Sequence, residues 1–149
     1  MNGRTMKTDI KLSPHFTLAE LCKSGTAARR GIKNIPSEEQ ISNLRALCVN
    51  VLEPARKLLN APIYVNSGFR SPELNVGVGG VGNSQHLKGQ AADITLGSLS
   101  MNLKLMDVLI NGEIPFDQAI FEKCDSLMRP LWIHVSYVEN GGRHEFLFK

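Results

Sequence analysis

The chain has 149 residues, 42% of them hydrophobic and 21% charged. That length suits one domain burying roughly 70% of its unfolded surface, and the composition excludes a disordered chain. A net charge of +3 is a mild positive bias, and no basic run is interleaved with aromatics, which argues against nucleic acid as a partner.

Residues 1–11 read as a polar, mobile lead-in to a single domain over residues 12–149. The lead-in has no apolar leader core, and nothing downstream is long enough to span a bilayer. The expected product is made in the cytoplasm, without a membrane partner, as a monomer. Thr17 to Glu20 is a capping-box pattern that opens a short helix towards Lys23. SGTAARRGIKNIP reads as a loop punctuated by Gly25, Gly31 and Pro36. Ser37 to Gln40 is a second capping box. It starts the main helix, with Ile41, Leu44, Leu47, Cys48, Val51, Leu52, Ala55, Leu58 and Leu59 at helical spacing. Pro54 is expected to kink or interrupt that helix.

IYVNS reads as a strand that delivers Gly68, Phe69 and Arg70 to its end, and Ser71-Pro72 as a helix start. A glycine-rich loop over residues 77–85 precedes QAADIT, a buried strand. Ser100 is expected to cap a helix through Ile110, with Leu103, Met106, Leu109 and Ile110 towards the core. FDQAIFE, LWIHVSY and EFLF read as three strands, with Gly141-Gly142 as the turn between the last two. Helices followed by an antiparallel sheet with one helix inserted give an α+β fold class.

The residues that carry chemistry are His86 and Asp93 in SQHLKGQAAD and His134 in LWIHVSY. Two imidazoles and a carboxylate make a three-ligand zinc set with a fourth position open, as in catalytic rather than structural sites. Asp93 lies in an apolar strand, where a carboxylate is costly without a cation. His134 alternates with Trp132 and Ser136 on one strand face. Gly77-Val-Gly-Gly-Val-Gly82 satisfies a dinucleotide fingerprint in letter only. It neither ends a strand nor opens a long helix, so it reads as a flexible wall beside the metal. Cys22 and Cys48 fall in helical patterns as small buried hydrophobes. No CxxC is present, and a thiol enzyme built on Cys124 has no supporting motif.

SGFRS at 67–71, SQHLKGQAAD at 84–93 and WIHVSY at 132–137 together resemble the zinc D-alanyl-D-alanine peptidases of bacteria and their phages, from about Leu12 to Tyr137. That family includes D,D-carboxypeptidases, D,D-dipeptidases and phage endolysins. The resemblance implies a hedgehog/DD-peptidase-like fold, one zinc per chain and a peptidoglycan stem peptide as substrate. It implies action at the cell wall, in phage or prophage lysis after release through a holin-type pore, or in cell-wall remodelling. It further implies that Arg70 stabilises the scissile carbonyl's oxyanion and that Ser84 contacts substrate. Gln118, on the expected face of His134, is taken as a second substrate contact.

The best-known members carry an acid three residues before the final histidine, where this chain has Leu131. FDQAIFE offers a replacement. If strands 117–122 and 132–137 pair with an even residue sum, Gln118, Ile120 and Glu122 share the face of His134. Glu122 is then the expected general base, with Asp125 in the connecting loop as the second candidate. The alternative function is a zinc-stabilised wall-binding or virion structural module without catalysis.

Overall fold

The computed structural model describes residues 10–140 and 142–149. Residues 1–9 of the expected lead-in and Gly141 lie outside the described residues. Lys11 already opens a strand: β1 (Lys11–Ser13) pairs with β2 (Phe16–Thr17) in a small antiparallel ribbon. Both expected capping boxes form. Thr17 and Glu20 exchange side-chain and backbone bonds at the start of α1 (Leu18–Cys22). Ser37 and Gln40 do the same at α3 (Glu38–Leu47).

Between them the expected loop contains a helix, α2 (Gly25–Arg30). The Ser24 hydroxyl accepts from the Ala27 N–H, and Gly31 closes the helix at φ 66°. Only Ala27 of its six residues is buried, so no apolar period marks it in the sequence.

Pro54 neither breaks nor ends the main helix. A proline lacks the N–H that would bond Asn50's carbonyl, and its ring would crowd that carbonyl. The chain answers with a π turn over Cys48–Leu52, in which the Glu53 N–H reaches back to the Cys48 carbonyl, and α4 (Glu53–Leu59) continues. One extra residue in the ladder absorbs the mismatch.

Five strands form the main sheet: β3 (Tyr64–Ser67), β4 (Ala91–Thr95), β5 (Gln118–Glu122), β6 (Trp132–Ser136) and β7 (Glu145–Phe148). Their order is β3-β4-β6-β5-β7. Three pairings are antiparallel, but β7 lies parallel to β5. Gly142 is therefore no hairpin turn between β6 and β7. A Cβ there would lie 2.5 Å from Asp117 Cα and the Phe116 carbonyl; glycine lets the returning chain press against the start of β5.

Strand alternation splits the sheet into two chemistries. Ala92, Ile94, Ala119, Phe121, Ile133 and Val135 are buried in one core cluster with Leu44, Leu47, Val51 and Leu52 of the main helix. Each buried Val, Leu, Ile or Phe side chain among them contributes about 1.5–3 kcal/mol. Asp93, His134, Gln118, Ile120 and Glu122 stand on the other face, half-buried. Cys22 and Cys48 are buried free thiols, and burial pushes Cys22 up to about 12.

The last helix, α6 (Leu99–Asn111), is capped by Ser98 rather than Ser100. Its buried face is Asn102, Leu105 and Leu109, while Leu103 and Ile110 are exposed. Asn102 explains the error. Its Nδ2 donates to the Pro130 and Leu131 carbonyls and its Oδ1 accepts from the Leu96 N–H, tying the lead into β6 to the end of β4. A polar residue on the core face hides that face from a hydrophobic count. No helix among the described residues is long and apolar enough to cross a membrane.

Candidate metal centre

The centre is built where β4 and β6 pair. Asp93 sits directly opposite His134, and the rung extends to Ser67 on β3 and Ile120 on β5. The third member arrives from outside the sheet. Helix α5 (Pro72–Gly77) starts on the Ser71 cap, with proline in its first turn as expected. The glycine-rich stretch then leads to a 3-10 turn, Gln85–Lys88, in which the His86 N–H donates to the Ser84 hydroxyl.

His86 is 3% exposed. Its Nδ1 stands 2.7 Å from the Gly68 carbonyl, and since a carbonyl only accepts, Nδ1 carries the proton. Nε2 is left with its lone pair facing Asp93 Oδ1 at 3.4 Å, the orientation by which an outer hydrogen bond fixes a metal-ligating histidine. Gly68 occupies a position where a Cβ would lie 2.2 Å from the Leu21 carbonyl, so only glycine brings its own carbonyl there. His134 presents Nδ1 to the same carboxylate oxygen at 3.1 Å.

One atom each from His86, Asp93 and His134 lie within 4.8 Å of one another. This is the sole such group of three or more among the described residues. Two neutral imidazoles and one carboxylate, with no thiolate, match a zinc site that keeps a position open. The donor set fits the metal.

Arg70 is the nearest full positive charge. Its Nη2 lies 3.5 Å from Asp93 Oδ2, Nε donates to Ser67 and Nη1 to Asn75 Oδ1. The carboxylate that Arg70 faces is thus Asp93 of the cluster. Asn75, 3% exposed, also donates to the Val81 carbonyl, so one buried amide joins Arg70 to the glycine-rich loop. Sequence reasoning passed over it, because nothing local marks a helical asparagine whose partners are non-local.

A cleft of about 370 Å³ opens beside His134, lined by Ser84, Gln85, Gln118, Ile120 and Arg143 among others. A larger cavity of about 570 Å³ lies around His15 and Glu53. It is remote from the donor cluster, and Glu53 there is engaged by Ser13 and His15, so the smaller cleft is where the chemistry belongs. Gln118 lines it while donating to Glu145 at 2.7 Å.

Glu122 pairs with Trp132, one same-face step from the Ile120–His134 pair. A diagonal cross-strand neighbour of that kind is about 7–8 Å away. Asp125 is differently placed: both its oxygens accept from Arg129, and Oδ1 also from the Leu127 N–H. His144 stacks on Phe116 at 4.2 Å, away from the cluster.

Comparison with known proteins gives two findings. The family model described as Peptidase M15 matches residues 14–135. A zinc D-Ala-D-Ala carboxypeptidase of Streptomyces albus G is 57% identical over 37 residues, which cover 25% of this chain and 14% of that protein.

Proposed function

Since the chain belongs to the Peptidase M15 family, we propose that it is a zinc-dependent peptidase that hydrolyses peptidoglycan stem peptides at the cell wall. The bond is D-Ala-D-Ala or an endopeptidase bond such as L-Ala-D-Glu. The single observation that carries this reading is the convergence of His86, Asp93 and His134 beside an open cleft. The name of the Streptomyces albus G relative supports the substrate class.

Zinc held by these three residues supplies Lewis acidity, polarising the scissile carbonyl and lowering the pKa of a water. The remaining work falls to the chain itself. Glu122, on the face of His134, accepts the proton of the attacking water and returns it to the leaving amine. Arg70, fixed by Ser67 and Asn75, presents a rigid cation where negative charge develops on the carbonyl oxygen. Ser84 and Gln118 flank the cleft and orient the peptide.

The direct test is to incubate purified peptidoglycan with zinc-loaded protein and identify new termini by mass spectrometry. New C-terminal D-Ala with released D-Ala marks a carboxypeptidase; new N-terminal D-Glu marks the endopeptidase. No new terminus under any loading would leave the non-catalytic wall-binding module as the better function.

Arg70→Lys is expected to lower kcat by about 10²–10³, the usual cost of losing one oxyanion donor, measured at saturating zinc. Lysine keeps the charge but loses the planar fork that Ser67 and Asn75 hold. Turnover within about threefold of the parent would reduce Arg70 to a brace for Asp93.

A further inference from the structure

Asp117 is a buried carboxylate that the mechanism above does not use. It is 5% exposed, and both oxygens are saturated. Oδ1 accepts from the backbone N–H and Nε of Arg143, each at 3.0 Å. Oδ2 accepts from Arg143 Nη2 at 2.9 Å and from Gln85 Nε2 at 3.0 Å. The Arg143 hydrogen bonds first of all, against desolvation, hold the carboxyl down at about 2.

Its backbone is equally engaged. The Asp117 N–H donates to the Ser136 carbonyl and the Asp117 carbonyl accepts from the Glu145 N–H. One residue thereby joins three segments around the metal cleft: the turn that carries His86, the end of β6 two residues past His134, and the chain returning through Gly142. Gln85 and Arg143 both line the cleft beside His134.

A surface ion pair contributes little, but here the acid is enclosed while Arg143 is 58% exposed. That asymmetry suits a clamp. The carboxylate end is buried, and the planar guanidinium is presented at the cleft rim. Glu145 Oε1 lies 3.4 Å from Arg143 Nη1 and accepts from Gln118, extending the same network to a second cleft-lining side chain.

We propose that Asp117 is a positioning residue for the peptide-binding cleft, setting its two walls through Gln85 and Arg143. The assignment of the cleft to peptide binding rests on the proposed function; the mechanical coupling of the walls does not. Two readouts keep those parts separate.

The first is amide hydrogen exchange on the zinc-loaded protein. Asp117→Asn preserves size but loses the charge-assisted pair, and exchange is expected to accelerate together at residues 84–90 and 142–145. Gln85→Leu, which spares the Asp117–Arg143 pair, should accelerate 84–90 alone. It also serves if Asp117→Asn folds poorly.

The second readout is kinetics on a synthetic stem pentapeptide containing both L-Ala-D-Glu and D-Ala-D-Ala bonds. Asp117→Asn and Arg143→Gln should each raise KM about tenfold, with kcat within about threefold, the pattern of lost uniform binding. The double variant should be no worse than either single, because the two residues act as one unit. Exchange confined to 142–145 in Asp117→Asn, KM unchanged in both single variants, or a double variant in which the two single effects multiply, overturns the proposal. If wild-type protein cleaves no stem peptide, the proposed function fails, and the exchange result alone still decides the coupling.

Discussion

Replacing His86 with alanine is expected to empty the metal centre while leaving the fold intact. The imidazole is one of three donors, and its Nδ1–H is fixed by the Gly68 carbonyl at 2.7 Å so that Nε2 faces the cluster. Removing even an outer partner of a metal ligand typically costs 10–100-fold in affinity. Loss of the ligand itself should exceed about 100-fold, and hydrolysis should vanish with the metal. The turn around His86 has independent supports, since Gly89 closes it and Arg70 N–H donates to the His86 carbonyl. Backbone structure should therefore survive, which circular dichroism checks. Zinc content by elemental analysis, before and after dialysis against a weak chelator, is the deciding measurement. A variant that keeps one tightly held zinc would place the metal elsewhere and dissolve the catalytic reading with it.

The metal cluster was legible because its signals are local. His86 and Asp93 lie seven positions apart, and a carboxylate inside an apolar strand demands a cation. The even register of β5 and β6 was the condition on which Glu122 shares the face of His134, and Glu122 does pair with Trp132. Elements that escaped the sequence share a different cause. Asn75, Asn102 and Asp117 are polar yet 5% exposed or less, and each is buried because of partners far away in the chain. A hydrophobic count assigns such residues to the surface. The parallel pairing of β7 escaped for a related reason: Gly141-Gly142 looks like a hairpin turn, while the contact that needs a glycine is the long-range approach of Gly142 to Phe116 and Asp117. The π turn before Pro54 shows the converse, with a local breaker overruled by packing. Leu47, Cys48, Val51, Leu52 and Ala55 are all fully buried, and interrupting the helix would expose them.

Glu122→Gln is expected to reduce hydrolysis by about 10²–10⁴, the usual share of general-base catalysis, with zinc content and fold unchanged. The substitution keeps the side chain's size and much of its hydrogen bonding and removes only the basic carboxylate. Glu122 stands at the end of β5, its backbone carbonyl accepting from the Leu131 N–H. That bond closes the strand pair at the very residue where the best-known relatives of the resembling family place an acid. Leu131 itself is 51% exposed and has no proton to exchange, so the proposed base is taken from the neighbouring strand. Asp125 is the weaker substitute, since Arg129 holds both its oxygens and keeps its carboxyl low. Asp125→Asn should then leave kcat within about threefold while loosening the β5–β6 loop. Full activity in Glu122→Gln together with a large loss in Asp125→Asn would reverse the assignment. Full activity in both would mean that the proton is taken by a group outside β5 and its loop.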